Sequence, residues 1–381
     1  METKQLDFSY DGKTKALAGI DFAVPRGKKT VVLGPNGSGK STLFLNFNGV
    51  HRPDSGEVLY DGQPLAYDGA SLTRLRANVS LVFQNPDDQI FSATVEEDVA
   101  FGPMNLSLPR EEVEKRVDDA LSWVGMEELR ERPTQQLSFG QRKRVSIAGA
   151  LAMRPQVLIM DEPTAGLDPQ MVHELMELSD ELNHQGITVV ISTHDLETAY
   201  EWADEVRAME KGRMVFSGKP EEFFENDELV HRMGMSRPTI LEVNRHLHAI
   251  QGKPMAPYPR NLTELLHKAF PAQTGKKGKL RLACVDKGET MPLTREAHAH
   301  SGIYGALARK LTDEGKLDPH YRFHALEYGI MEASMGHDFT LYTEEGLCDL
   351  AQERVERLEK AAGIHIDVEH SHSEKKEKKK E

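Results

Sequence analysis

The run GPNGSGKST, Gly34 to Thr42, satisfies G-x-x-x-x-G-K-[ST], a pattern whose residue types suit a chain of phosphates. Gly34, Gly37 and Gly39 let the backbone wrap closely enough for its N–H groups to face a phosphate, with Pro35, Asn36 and Ser38 completing the loop. Lys40 supplies a cation for the β and γ oxygens, and Ser41, followed by Thr42, supplies a hydroxyl for Mg²⁺. The loop follows the apolar, β-branched run KTVVL (29–33) and precedes an apolar helical run. Strand, glycine loop and helix therefore come in the order such a seat requires.

A metal-side acid is expected at the end of another buried strand, and VLIMDEP places Asp161 and Glu162 directly after four apolar residues. Two adjacent acids divide the work: Asp161 to hold Mg²⁺, commonly through water, and Glu162 to polarise an attacking water. An acid pair ending an apolar strand is costly without partners. Gln84 follows SLVF and His194 follows ITVVIST. Ligands of open α/β sheets lie at the carboxyl ends of strands, so both side chains should face the phosphates. Gln84 can reach Mg²⁺ or the lytic water, and His194 the γ-phosphate.

The stretch LSFGQRKRVSIAGALAM (137–153) turns from a small polar run into a helix that opens with three cations. Ser138 reads as an N-cap, and a helix N-terminus with free N–H groups and nearby positive charge is also a seat for an anion.

These residues need a scaffold that brings strand ends together. The runs KTVVL, SLVF (80–83), VLIM (157–160) and ITVVIS (187–192) alternate with helical segments, which predicts a parallel sheet. Between the second and third runs, TVEEDVAFG and REEVEKRVDDALSWVGM read as a helical insertion with LSFGQ at its far end. Beyond Ser217 the character changes, and the three prolines of QGKPMAPYPR (251–260) suit a linker. KLRLACV and FTLYT look like strands and EEGLCDLAQERVERLEKAA like an amphipathic helix, so a small α+β domain is expected, ending in the charged tail SEKKEKKKE. The expected division is a first domain over 1–240, a linker over 241–260, a domain of unknown function over 261–370 and a tail over 371–381.

With 381 residues and a formal charge of −14, the chain can hold two cores and is poorly suited to general nucleic-acid binding. Two cysteines, Cys284 and Cys348, make no disulfide framework and suit a reducing compartment. The start METKQLDFSYDG lacks the pattern of a signal peptide, and no apolar run is long enough to span a bilayer. Any membrane role is expected to be peripheral.

From about Leu6 to Glu225 the ordered motifs resemble the ATP-binding subunit of ABC transporters. The resemblance implies a P-loop α/β ATPase core with an antiparallel β subdomain and a helical subdomain over about 86–155, using ATP and Mg²⁺. It makes Tyr10 the aromatic that stacks on adenine, GPNGSGKST the Walker A loop, Gln84 the Q-loop glutamine and LSFGQ the signature. VLIMDEP becomes the Walker B strand, AGLD (165–168) the D-loop with Asp168, and His194 the switch histidine. Mg²⁺ would fall to Ser41, Gln84 and Asp161, and catalysis to Glu162, His194 and Gln84. In that family two protomers dimerise head to tail, so Ser138, Gly140 and Gln141 serve the partner's ATP. Phe139 departs from the commonest pattern, which has glycine there.

Residues 83–109, FQNPDDQIFSATVEEDVAFGPMNLSLP, together with the signature helix, resemble the cobalt and nickel uptake branch of energy-coupling-factor transporters. That implies a second ATPase subunit, either an identical chain or a paralogue, an integral membrane scaffold and a substrate-binding membrane subunit. The location implied is the cytoplasmic face of the cell membrane, with Asp87, Asp88 and Gln89 beside a groove for a membrane helix. Twelve of the sixteen histidines lie from His231 onward, among them His298, His300, His320, His324, His365, His370 and His372. Imidazole suits Ni²⁺ and Co²⁺, so metal import is the expectation, with vitamin import and a soluble non-transport ABC ATPase as alternatives. A small-molecule kinase leaves LSFGQ unexplained.

Overall fold

The computed structural model describes residues 1–270, 278–285, 300–362 and 365–372, and the chain divides into two compact units, Met1–Thr239 and Ile240–Glu381.

The first unit opens with β1 (Glu2–Ser9) and β2 (Lys15–Ala23), and the central strand β3 (Lys29–Leu33) runs into α1 (Lys40–Phe47). After β4 (Ser55–Tyr60), β5 (Gln63–Pro64) and α2 (Gly69–Asn78), strand β6 (Val79–Val82) leads to a helical region. That region comprises α3 (Val95–Asn105), α4 (Arg110–Trp123) and α5 (Phe139–Ala152). The core resumes with β7 (Val157–Met160), α6 (Pro169–His184), β8 (Thr188–Ser192), α7 (Leu196–Trp202), β9 (Glu205–Glu210) and β10 (Arg213–Gly218). Two short helices, α8 (Pro220–Glu225) and α9 (Asp227–Arg232), follow.

A six-stranded sheet has the order β10-β9-β3-β8-β7-β6, parallel except for the β9–β10 hairpin. A second sheet, β2-β1-β4-β5, is antiparallel. The central strands read as unbroken apolar runs because both faces are covered. Val31, Val32, Leu33, Leu158, Ile159 and Val189 to Ile191 have no exposed surface, and each contributes about 1.5–3 kcal/mol by burial. The carboxyl ends of β3, β6, β7 and β8 are thereby brought side by side.

Helix α10 (Thr239–Gln251) starts on the last residue of the first unit and otherwise belongs, with α11 (Leu262–Ala269), to the second, so most of 241–260 is not a free linker. Leu241 and Asn244 are buried, Asn244 donates to Met255 O at 3.0 Å, and Lys268 donates to Met255 O and, at 2.8 Å, to Pro257 O. Those ties pull the proline-bearing stretch into the unit itself.

Strands β11 (Lys279–Cys284) and β12 (Ser301–Tyr304) are followed by α12 (Ala306–Asp313), α13 (Ala325–Ser334), β13 (Phe339–Thr343), α14 (Glu345–Ala362) and β14 (Asp367–His372). The strand order is β12-β13-β11-β14, and every described pairing is parallel. The layout is therefore parallel α/β, where α+β was expected. Its cause is two-sided burial: Leu280, Leu282 and Leu341 pack with residues of α13 and α14, while Ala283, Ile303 and Tyr342 pack with Ala308 and Leu311 of α12. Strand β14 takes in Ser371 and His372, so the expected tail over 371–381 begins inside a strand; His298 and the run from 373 to 381 lie outside the described residues.

Candidate active site

The turn from β3 to α1 depends on backbone freedom at Gly37 (φ 76°) and Gly39 (φ 104°), a left-handed region that side chains disfavour. A Cβ on Gly39 would also lie 2.8 Å from Ala16 O. Lys40 is 6% exposed, and its Nζ donates to Gly34 O at 2.8 Å and lies 3.8 Å from Glu162 Oε1. Ser38 Oγ is buried without a hydrogen-bond partner among the described atoms, an orphan that an incoming phosphate or water could satisfy. Ser41 is exposed at the first turn of α1.

Strand β7 delivers Asp161 and Glu162, both buried. The Ser192 hydroxyl, at the end of the neighbouring β8, donates to Asp161 Oδ1 and accepts the Glu162 N–H at 2.8 Å. This clamp holds Glu162 at φ 41°, a backbone state that costs about 1–3 kcal/mol for a residue with a side chain. The Gln84 amide donates to Glu162 Oε2 at 3.3 Å, and His194 Nδ1 stands 3.3 Å from the same oxygen. Lys40, Gln84 and His194 thus converge on one carboxylate from three different strand ends. The His194 side chain is otherwise 71% exposed.

A cavity of about 690 Å³ is lined by Gly34, Pro35, Asn36, Gln84, Glu162 and His194. Met233, Gly234, Met235 and Ser236, beyond α9, complete it; sequence reasoning missed them, since nothing in MGMS marks a ligand contact. Thr239 fastens this segment by giving its N–H and its hydroxyl to Glu197 Oε1, each at 2.7 Å. Ser192 was missed as well, although it ends the run ITVVIS.

Tyr10 is 65% exposed; its ring meets Phe8 and His51 edge-on and its hydroxyl lies 3.1 Å from Thr42 Oγ1. The ring is thereby anchored beside α1 with much of its surface open.

The signature residues do not line this cavity. Ser138 caps α5 in a reciprocal box, its hydroxyl accepting from Gln141 N at 3.2 Å and its N–H donating to the Gln141 side chain at 2.9 Å. Gly140 packs so tightly that a Cβ would fall 2.2 Å from Met171 Cε. Phe139 turns its ring toward Gly166 of AGLD, where a Cβ would lie 3.0 Å from Phe139 Cε1. Asp168 caps α6, accepting from Met171 N at 2.9 Å. Lys143, deeper in α5, is lowered to about 8 by burial, against the pull of Asp161 and Glu162.

Gln89 is a structural link, accepting from Phe83 N at 3.1 Å and donating to Ser146 O at 2.9 Å, and Asp87 pairs with Arg142 at 2.7 Å. Several described histidines of the second unit meet carboxylates, since His300 and His337 share Glu332 Oε2 at 3.5 and 2.7 Å and His365 meets Glu359 at 2.8 Å, while His248 and His267 pair with backbone carbonyls at 2.6 and 2.8 Å. Among the described residues no group of three or more His, Cys, Asp or Glu is arranged to hold a metal ion. No helix described here is long and apolar enough to cross a membrane.

Residues 17–165 match the ABC transporter family. The energy-coupling factor transporter ATP-binding protein EcfA2 of Methanospirillum hungatei is 39% identical over 379 residues, 97% of this chain and 95% of that protein. An alignment of that length takes in both units. EcfA of Methanocaldococcus jannaschii is 52% identical over 240 residues, 63% of this chain and 86% of that protein. Among solved structures, cbiO1 of Clostridium perfringens, part of the ABC transporter complex cbiONQ, superposes with a TM-score of 0.55 at 45% identity. It covers 66% of this chain and 98% of its own. A dimeric bacterial ABC transporter cassette gives 0.53 at 29% identity, covering 57% of this chain and 98% of its own. The chain belongs to the ATP-binding proteins of energy-coupling factor transporters, ABC ATPases that couple ATP hydrolysis to transport.

Proposed function

We propose that this chain powers import of a divalent transition-metal ion, cobalt or nickel, as one of two ATPase subunits on the cytoplasmic face of a membrane complex. The observation that carries the ATPase half is the convergence of Lys40, Gln84 and His194 on the Glu162 carboxylate.

The Walker A loop, with Lys40 at its base, receives the phosphates of ATP, and Tyr10 offers its open ring to adenine. Lys40 exchanges its loop carbonyl for phosphate oxygens. Ser41, Gln84 and Asp161 form a set of oxygen donors of the kind Mg²⁺ prefers, and the exposed hydroxyl of Ser41 stands ready for that role. Mg²⁺ would supply charge neutralisation on the β and γ oxygens. Glu162 takes the proton of the attacking water, Gln84 orients that water, and His194 donates to the γ-phosphate. Ser138 and the Gly140 N–H close over the nucleotide of a second ATPase subunit, which explains why they stand outside this chain's own cavity.

The membrane partner docks at the helical region. Phe91 and Phe101, 64% and 48% exposed, meet edge-on at 4.6 Å beside the exposed Met104. Asp98 holds that turn by accepting from Phe91 N and Ser92 N at 3.0 Å each. An aromatic pair held out to solvent is the anchor an apolar helix needs.

The substrate assignment rests on the resemblance of residues 83–109 to the cobalt and nickel uptake branch and on the histidines gathered from His231 onward. Its test is uptake by the complete reconstituted complex, offered labelled cobalt, nickel and a panel of vitamins, with Glu162→Gln as the inactive control. ATP-dependent accumulation of a vitamin and of neither metal would overturn the metal assignment while leaving the ATPase assignment intact.

A further inference from the structure

Lys143 lies two residues beyond the LSFGQ turn and is 1% exposed, among the largest fully buried side chains of the chain. Its Nζ donates to Phe83 O at 2.9 Å and to Gln84 O at 2.8 Å. These are consecutive carbonyls of the segment leaving β6. A buried ammonium carries a large desolvation cost, and an apolar side chain of similar length would fill the volume without it. What the charge adds is a fixed seat for two peptide groups.

Two neighbouring ties point the same way. The Gln89 side chain bridges Phe83 N and Ser146 O, and Arg142 Nε meets Asp87 Oδ1 at 2.7 Å. Residues 142, 143 and 146 of α5 thus fasten the segment 83–89 to the signature helix. Holding the carbonyls on both sides of the Gln84 Cα limits where its side chain can point, and its amide is the one that reaches Glu162 Oε2.

We infer that Lys143 is a positioning residue for hydrolysis: through the Phe83 and Gln84 carbonyls it makes the placement of Gln84 against Glu162 follow the signature helix. The inference rests on the roles proposed above for Gln84 and Glu162. One helix then carries Ser138, which serves the partner's nucleotide, and five residues on the group that sets Gln84 at its own. Movement of α5 on closure at one site is passed to the other by a rigid connection.

The test is steady-state ATP hydrolysis by the reconstituted complex carrying Lys143→Met, Gln84→Ala and the two together. Lys143→Met is expected to lower kcat by about 10- to 100-fold, the range for a misplaced group away from the reacting atoms, with KM for ATP unchanged. Lys143→Arg, which keeps N–H donors, recovers part of the loss. The double variant should be no slower than the slower single variant, because both substitutions remove one interaction. Wild-type kcat in Lys143→Met overturns the inference, as do losses that multiply in the double variant or a fall in ATP affinity that Lys143→Arg does not recover. If Lys143→Met fails to assemble, Lys143→Leu and Lys143→Gln take its place, and a wild-type kcat in an assembled Lys143→Leu variant, which lacks any donor to the two carbonyls, overturns the inference. Full turnover in both Gln84→Ala and Glu162→Gln would sink the underlying roles and the inference with them, a result distinct from multiplying losses.

Discussion

His194 Nδ1 stands 3.3 Å from Glu162 Oε2, although the two residues end different strands and the histidine side chain is 71% exposed. The carboxylate it meets is buried and also takes the Gln84 amide. A proton acceptor held by partners yet open on the histidine side is suited to water activation. Glu162→Gln keeps the shape and these contacts but removes the base. It should retain ATP binding and lose turnover by about 10²- to 10⁴-fold. Near-normal phosphate release would remove Glu162 from that role.

Lys40 makes a different kind of contribution. Its ammonium donates to the Gly34 carbonyl, and under the function proposed above it turns to phosphate, so its loss would remove charge-assisted bonds to the ligand as well as a brace of the loop. Lys40→Ala is expected to weaken nucleotide binding by about 10- to 100-fold, the worth of one such bond. Titration with a fluorescent ATP analogue reads this directly, and unchanged affinity would contradict it.

Much of this site was legible because its parts are local. KTVVL followed by a glycine loop could only be a buried strand entering a phosphate turn, and VLIMDEP marked its own strand end. Strand β6 came one residue earlier than SLVF suggested, a shift that left Gln84 at the same edge. The rest depends on contacts distant in sequence. Nothing near Glu162 announces the Ser192 hydroxyl thirty residues on, which clamps both acids. Prolines at 251–260 suggested a linker, but the bond from Asn244 to Met255 and those from Lys268 are tertiary. The histidines, conspicuous by number, are spread over separate partners, with His337 and His365 on carboxylates and His248 and His267 on backbone carbonyls.

The link between Thr239 and Glu197 makes the edge of the cavity a consequence of the helix that follows His194. Glu197→Ala removes both 2.7 Å bonds and should free Met233 to Ser236 from their place along the cavity. The expected effect is a rise of several-fold in KM for ATP and a loss of about 1–2 kcal/mol in stability. Steady-state kinetics and denaturant unfolding measure the two. Unaltered KM would leave the segment as a bystander.

The exposed pair Phe91 and Phe101 should matter to assembly and not to nucleotide binding. Replacing both with serine removes an aromatic anchor, of the kind that commonly contributes about 2–4 kcal/mol to an interface. Membrane subunits should then no longer co-purify with the chain, while its affinity for ATP stays as in the wild type. Recovery of the intact complex would place the docking surface elsewhere.

Cys284 and Cys348 bring their sulfurs within 2.9 Å in the core of the second unit, and both are buried. Burial, reinforced by Cys284, pushes the Cys348 thiol up from 9.0 to about 12. Between those values the unfolded chain gives up a proton that the folded chain keeps. The stability tied to this thiol is therefore complete below about pH 9 and is lost as pH rises toward 12. The thiolate is also the reactive form, so alkylation of the native chain at pH 8 should be slow and limited by opening of the unit. Urea unfolding followed from pH 8 to 11 should show declining stability, and Cys348→Ala should flatten that decline even if it lowers stability throughout. Rapid native labelling at pH 8, or the same alkaline slope without the thiol, would show that the burial does not govern its ionisation.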